Sequence, residues 1–87
     1  MSPAKPIRLS HHATQQLEYR GATEDEVREA IRTAPWTQAE LNRLECRKEF
    51  PYHRTWHNKS YAMKQVRPIF VEDAREIVVV TIYVYYR

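Results

Sequence analysis

Glu76-Ile77-Val78-Val79-Val80-Thr81-Ile82-Tyr83-Val84-Tyr85-Tyr86 is the stretch that decides the fold. Nearly every side chain in it is β-branched or aromatic, the kind that fits a pleated, half-buried surface. No Gly, Pro or Asn interrupts it, and it is too short to cross a bilayer as a helix. Alternate side chains of a strand point to opposite faces. Strict alternation puts Val78, Val80, Ile82 and Val84 in one aliphatic row and Ile77, Val79, Thr81, Tyr83 and Tyr85 in the other. A strand this apolar on both faces would be an aggregation hazard at a sheet edge, so the stretch is expected to be central. Its aliphatic row is expected beneath helices, and its Thr/Tyr row is expected to face a more polar surface and to carry the function.

Upstream, Asp73-Ala74-Arg75 reads as a short turn that makes residues 61–71 the hairpin partner of this strand. Pro68 within that partner suggests a bulge or a locally unpaired edge. His57-Asn58-Lys59-Ser60 is a polar turn. Residues 43–56 are strand-like, divided by Pro51 into a strand near 44–50 and an exposed or edge continuation near 52–56. Residues 36–41 are a loop or a short irregular extension. The first half of the chain is helical instead. Ser10 is a plausible N-cap for a helix from His11 to about Arg20, with Ala13, Leu17 and Arg20 on one side. Gly21, the only glycine, stands where a left-handed residue ends a helix. Thr23 with Glu26 forms a capping box for a second helix whose stripe is Val27, Ala30 and Ile31, and Pro35 closes it. Residues 1–9, with Pro3 and Pro6, read as a flexible leader before one domain spanning 10–87. The expected class is α+β: two N-terminal helices packed on one face of a three- to four-stranded antiparallel sheet.

At 87 residues the chain can bury one modest core, and 43% hydrophobic with 29% charged residues fits a globular domain. Cys46 stands alone, which excludes an internal disulfide and a Cys-based zinc site. With no signal peptide or membrane span in view, the expected location is the cytoplasm, with no membrane partner. The net charge of +3 is unevenly placed. Residues 1–42 hold five basic and six acidic side chains, whereas 43–87 hold nine and five. The basic surplus therefore shares the expected sheet with the aromatics, a combination suited to a phosphate-bearing, base-stacking partner.

Two motifs extend this reading. Ser10-x-His12-Ala13 followed by Arg20-Gly21-Ala22-Thr23-x-x-x-Val27 resembles the opening of a small bacterial family, domain of unknown function 4258. Val79-Val80-Thr81-Ile82-Tyr83 resembles that family's closing motif. Ala22 stands where Ile is usual and Gln16 where an Arg often stands. The family is similar in layout to the RelE/ParE toxins and the wider barnase/colicin-like ribonuclease fold. The resemblance implies a RelE-like domain and singles out His12, Arg20, Thr81 and Tyr83.

The chemistry suits a metal-independent endoribonuclease, in which the RNA's own 2′-hydroxyl attacks phosphorus and leaves a 2′,3′-cyclic phosphate. Histidine, with an unperturbed pKa near 6.5, suits the proton transfers, which points to His12. Preorganised cations suit the charge that develops on the phosphoryl oxygens; Arg20, Arg54 and Lys64 are the candidates. Thr81 offers a hydrogen bond to phosphate, and Tyr83 offers a proton or a ring for a base. Thr81 and Tyr83 stand about 7 Å apart on one strand face. Arg47, Lys48, Trp56, Arg67 and Tyr85 are the candidate RNA contacts. Each also has a structural reading, as helix surface, strand former or solvated charge. His53 and His57 have the spacing of a helical zinc pair, but Pro51 argues against a helix, and neither metal nor cofactor is expected. Cys46 reads as a small buried hydrophobe. The resulting expectation is an mRNA-cleaving toxin of a bacterial toxin–antitoxin pair, acting on free or ribosome-bound mRNA and covered by a cognate antitoxin. The alternative is a non-catalytic relative that binds nucleic acid or a protein target.

Overall fold

The computed structural model describes residues 5–87. Strand β1 (Ile7–Leu9) leads into helices α1 (His11–Arg20) and α2 (Glu24–Thr33). Five strands follow: β2 (Thr37–Gln38), β3 (Leu44–Glu45), β4 (Lys48–Trp56), β5 (Lys59–Glu72) and β6 (Ile77–Tyr86). They form one sheet in the order β1-β6-β5-β3-β2, with β4 also paired to β5.

The class is α+β, but the three- to four-stranded antiparallel, RelE-like sheet expected from sequence is corrected to six strands of mixed direction. The difference arises at the start of the chain and in its middle, where Thr37–Gln38 is a strand and the strand-like run breaks between Glu45 and Lys48 rather than at Pro51, which lies inside β4. Ile7–Leu9, placed in the flexible leader by the sequence reading, pairs parallel to β6 in the register Ile7 with Ile77 and Leu9 with Val79. Ile77 N–H donates to Pro6 O at 2.9 Å and Ser10 N–H to Val79 O at 2.9 Å, bracketing the short ladder. Without β1, the apolar start of β6 would lie at an open edge. Residues 1–4 of the expected leader lie outside the described residues.

The helix boundaries follow from local chemistry. Ser10 Oγ accepts from Ala13 N–H, and Gly21 closes α1 at φ 76° with its N–H on Leu17 O. Both halves of the Thr23–Glu26 capping box form on α2. Ala13 and Leu17 of α1, and Val27, Ala30 and Ile31 of α2, are buried against the sheet. Phe70, Val66, Val79 and Ile82 complete that core from the strands.

The alternation expected along β6 fails halfway. Phe70 pairs with Val79 but Ile69 pairs with Thr81, so Val80 is an extra residue, a β-bulge. Before it, Ile77 and Val79 are the buried residues; after it, Ile82 is buried and Val84 packs on the core. The bulge thus turns Ile77 and Val79 under the helices, where Val78 and Val80 were expected, and leaves Thr81, Tyr83 and Tyr85 on the opposite face. Pro68 sits in a central strand, where the outer ladder is interrupted: Lys48 of β4 pairs with Val66, and Glu45 of β3 with Ile69. A residue without an N–H is tolerated there. The β4–β5 hairpin closes through His57 and Asn58, at φ 50° and 65°, the left-handed pair typical of a tight two-residue turn.

Gly21 is needed twice, for its positive φ and for space. A Cβ there would lie 2.4 Å from Tyr86 Oη and 2.7 Å from the Trp56 ring. Gly21→Ala is expected to lower unfolding free energy by roughly 2–4 kcal/mol in denaturant titration, combining left-handed strain with overpacking. Ser10→Ala, which removes an N-cap, is expected to cost about 1 kcal/mol in the same measurement.

Candidate functional site

On the face opposite the helices, a cleft of about 750 Å³ is floored by Arg67 and Ile69 of β5 and by Thr81 and Tyr83 of β6. Glu45 of β3 and the loop of residues 39–43 form its far wall. The loop is held by Ala39 N–H to Arg43 O at 2.8 Å and Arg43 N–H to Glu40 O at 3.2 Å. Leu41 and Asn42 take left-handed backbone angles there. The Thr/Tyr row of β6 therefore opens onto solvent, as expected, with Tyr83 36% and Tyr85 42% exposed.

Helix α1 borders the other side. Ser10, its N-cap, also donates from Oγ to Val80 O at 3.2 Å, fixing the start of the helix at the bulge. Two residues on, within the first turn, His12 Nε2 lies 3.2 Å from Thr81 Oγ1. At the helix end, Arg20 donates from Nε to Gln16 Oε1 at 2.8 Å and stands 5.2 Å from the centroid of the Tyr83 ring. Arg67 approaches the same ring at 5.5 Å. Two guanidinium groups thus attend one tyrosine, an arrangement favoured by the quadrupole of the ring. Gln16 serves here to orient Arg20.

Arg67 is not a free cation. Its Nε donates to Glu45 Oε2 and its Nη1 to Tyr85 Oη at 3.2 Å. The Arg67 hydrogen bond holds the Glu45 carboxyl below its usual range, helped by the nearby positive charges of Arg67 and Arg47. The same bond raises the Arg67 pKa further above its already high value. Arg43, also lining the cleft, is in no ion pair among the described residues.

Of the residues singled out from sequence, the fold brings together His12, Arg20, Arg67, Thr81, Tyr83 and Tyr85. Arg47 is exposed beside Glu45. Four others are corrected. Lys64, expected at a scissile phosphate, is only 5% exposed, donating to Glu26 Oε1 at 2.8 Å and Gly21 O at 2.9 Å on the helix side. Lys48 likewise turns to α2, donating to Thr33 Oγ1 at 2.7 Å beside Glu29. Trp56 stacks on Tyr86, centroids 5.1 Å apart, and covers Gly21. Arg54 pairs with Tyr61, six residues along β5 from Arg67, or about 20 Å. Strand parity explains the first two. Lys64 faces Tyr86 and Lys48 faces Val66 across the ladders, on the row that the helices cover.

The cleft wall was not visible in the sequence. In sequence Glu45 stands among basic neighbours, and residues 36–41 read as a loop or a short irregular extension, with nothing local to place either beside β5 and β6. Cys46 is buried and its thiol is pushed up to about 11 by that burial, so it stays protonated; the half-buried phenol of Tyr86 is pushed up to about 12 by desolvation. His53 lies in β4 and His57 in the turn, so the helical spacing of a zinc pair is not realised. No helix among the described residues is long and apolar enough to cross a membrane. No protein family, curated protein or solved structure matches this chain.

Because the folded Glu45 titrates below the usual 4.5, its ion pair stabilises the fold fully above that value. The contribution is lost as pH falls from 4.5 through the depressed folded pKa. Glu45→Gln is expected to cost roughly 1–3 kcal/mol at neutral pH and to flatten the loss of stability below pH 4.5. Urea titrations across pH 2.5 to 7 check both (~0.5 pH steps suffice to resolve the slope).

Proposed function

We propose that the protein is a metal-independent endoribonuclease, acting as the mRNA-cleaving toxin of a bacterial toxin–antitoxin pair. The observation that carries this reading is the convergence of His12 and Arg20 from α1 with Thr81, Tyr83 and Arg67 on one open cleft. The motifs at residues 10–27 and 79–83, which resemble the family with toxin-like layout, add to it.

The step needs a proton acceptor, a proton donor and a cationic cradle. His12 Nε2 takes the proton of the 2′-hydroxyl as its oxygen bonds to phosphorus. The bond from phosphorus to the 5′-oxygen breaks, and the Tyr83 hydroxyl delivers a proton to that leaving oxygen. Proton exchange with water then restores both groups. Thr81, 3.2 Å from His12, holds the imidazole or a phosphate oxygen, while Arg20 and Arg43 meet the charge growing on the phosphoryl group. The reading places the protein in the cytoplasm, with a cognate antitoxin that covers this cleft.

One feature favours a second reading. The Glu45 carboxylate already occupies Arg67, as a phosphate would, which suits a non-catalytic member that binds nucleic acid or a protein target through the same face.

Incubation of the purified protein with single-stranded RNA in chelator decides between them. The ribonuclease reading expects fragments ending in 2′,3′-cyclic phosphate. His12→Ala and Tyr83→Phe, both at exposed positions, should then slow cleavage by about 10²–10⁴-fold without unfolding the protein. Growth arrest on expression with intact RNA in both settings favours the second reading.

A further inference from the structure

From Phe50 to Val71 the chain contains no Asp or Glu. Most of that stretch is the β4–β5 hairpin, and its tip reaches past the sheet. Lys64 opposite Tyr86 is the last β5–β6 pair; just beyond it, Ala62 N–H and Met63 N–H both donate to Arg87 O, at 2.9 and 3.0 Å. From there on β5 pairs with β4 alone. On β4 the register breaks between Pro51 and Arg54, where His53 takes φ 50°.

These irregularities fix the arm rather than loosen it. Trp56, Tyr61 and Tyr52 all gather on Tyr86, at centroid distances of 5.1, 5.4 and 5.1 Å. Tyr52, Trp56 and Tyr61 are thereby turned to the body of the protein, and Arg54 and Lys59 stay exposed at the tip with Thr55, His57, Asn58 and Ser60. A shallow groove of about 380 Å³ lies among His53, Arg54, Thr55, Ser60, Tyr61 and Ala62. Arg54 and Lys59 are exposed and enter no ion pair among the described residues. Glu49, the nearest acidic residue in β4, is engaged by Arg87 at 3.0 Å.

We infer that the hairpin tip is a second, non-catalytic contact for the phosphodiester backbone of single-stranded RNA, built on Arg54 and Lys59, which the register of the hairpin places on one face. The tip is an unneutralised cationic surface on a braced arm, and a polyanion is its complement. Its position sets a length requirement. Ser60 lies seven residues along β5 from Arg67, about 24 Å at 3.4 Å per residue. A strand stacked at about 3.4 Å per nucleotide covers that distance in about seven nucleotides, and a chain well beyond that length occupies cleft and tip together. The substrate class rests on the ribonuclease reading, but the contact is one of binding and is measured without cleavage.

The test uses 2′-O-methyl oligouridylates, which lack the attacking hydroxyl and cannot be cut, as a tetranucleotide and as a chain of roughly twenty nucleotides, about three times the required span. Fluorescence anisotropy is read across a salt series for the wild type and for Arg54→Gln/Lys59→Gln. The long chain should bind the wild type more tightly than the tetranucleotide. The double variant should lose that advantage, and its slope of log affinity against log salt should be shallower by about 1.4, two contacts at about 0.7 each. Tetranucleotide binding should be unchanged. An unchanged slope, or no length dependence in the wild type, overturns the assignment, as does polyglutamate binding that falls by the same factor in the double variant, which would mark an acidic protein partner. Length-dependent binding with no cleavage of ordinary RNA leaves the tip assignment standing and removes the ribonuclease reading alone.

Discussion

The arrangement depends on a few hydrogen bonds at one irregular point, the bulge at Val80. Ser10 N–H and Oγ reach the Val79 and Val80 carbonyls, and the same Oγ caps α1. These contacts end the parallel ladder of β1, begin the helix, and set His12 beside Thr81. The bulge does the complementary task on the strand. By inserting one residue it turns Ile77 and Val79 inward while keeping Thr81, Tyr83 and Tyr85 outward. A straight β6 could not have both its apolar start and its aliphatic end beneath the helices.

Charge is sorted by the same geometry. Basic side chains occupy three different environments. Lys64 and Lys48 are drawn under the helices by Glu26 and by Glu29 with Thr33, where they join helices to sheet. Breaking a buried pair such as Lys64–Glu26 strands a charge, which makes it structurally costly to lose whatever its net contribution. Arg20 and Arg67 attend Tyr83 in the cleft. Arg54 and Lys59 remain in solvent on the hairpin. Net charge alone could not distinguish these groups.

The cleft also shows how a binding surface can be held in shape before any ligand arrives. Glu45 keeps Arg67 against the sheet, Gln16 keeps Arg20 along α1, and two backbone hydrogen bonds hold the loop of residues 39–43. Preorganised charges of this kind need little rearrangement when an anionic group enters. The carboxylate beside Arg67 has a counter-effect, because an incoming phosphate must compete with it. That balance between preorganisation and competition is where the catalytic and the binding readings part.

Local chemistry was legible in the chain. Ser10, Gly21 and Thr23 with Glu26 marked the helix ends because caps act over three or four residues. The β-branched run marked the central strand, and Thr81 and Tyr83 were placed on its open side. Pairings between distant segments left no local trace. Ile7–Leu9 is too short to announce itself and becomes a strand only because β6 offers an edge. The bulge at Val80 depends on the register with Ile69 and Phe70. Lys64 and Arg54 look alike as exposed cations in sequence, yet strand parity buries one and the hairpin's reach removes the other from the cleft. Sequence therefore determined which segments became helix or strand, through propensity and capping. Tertiary structure decided which face each side chain reached, because that is set by pairing register.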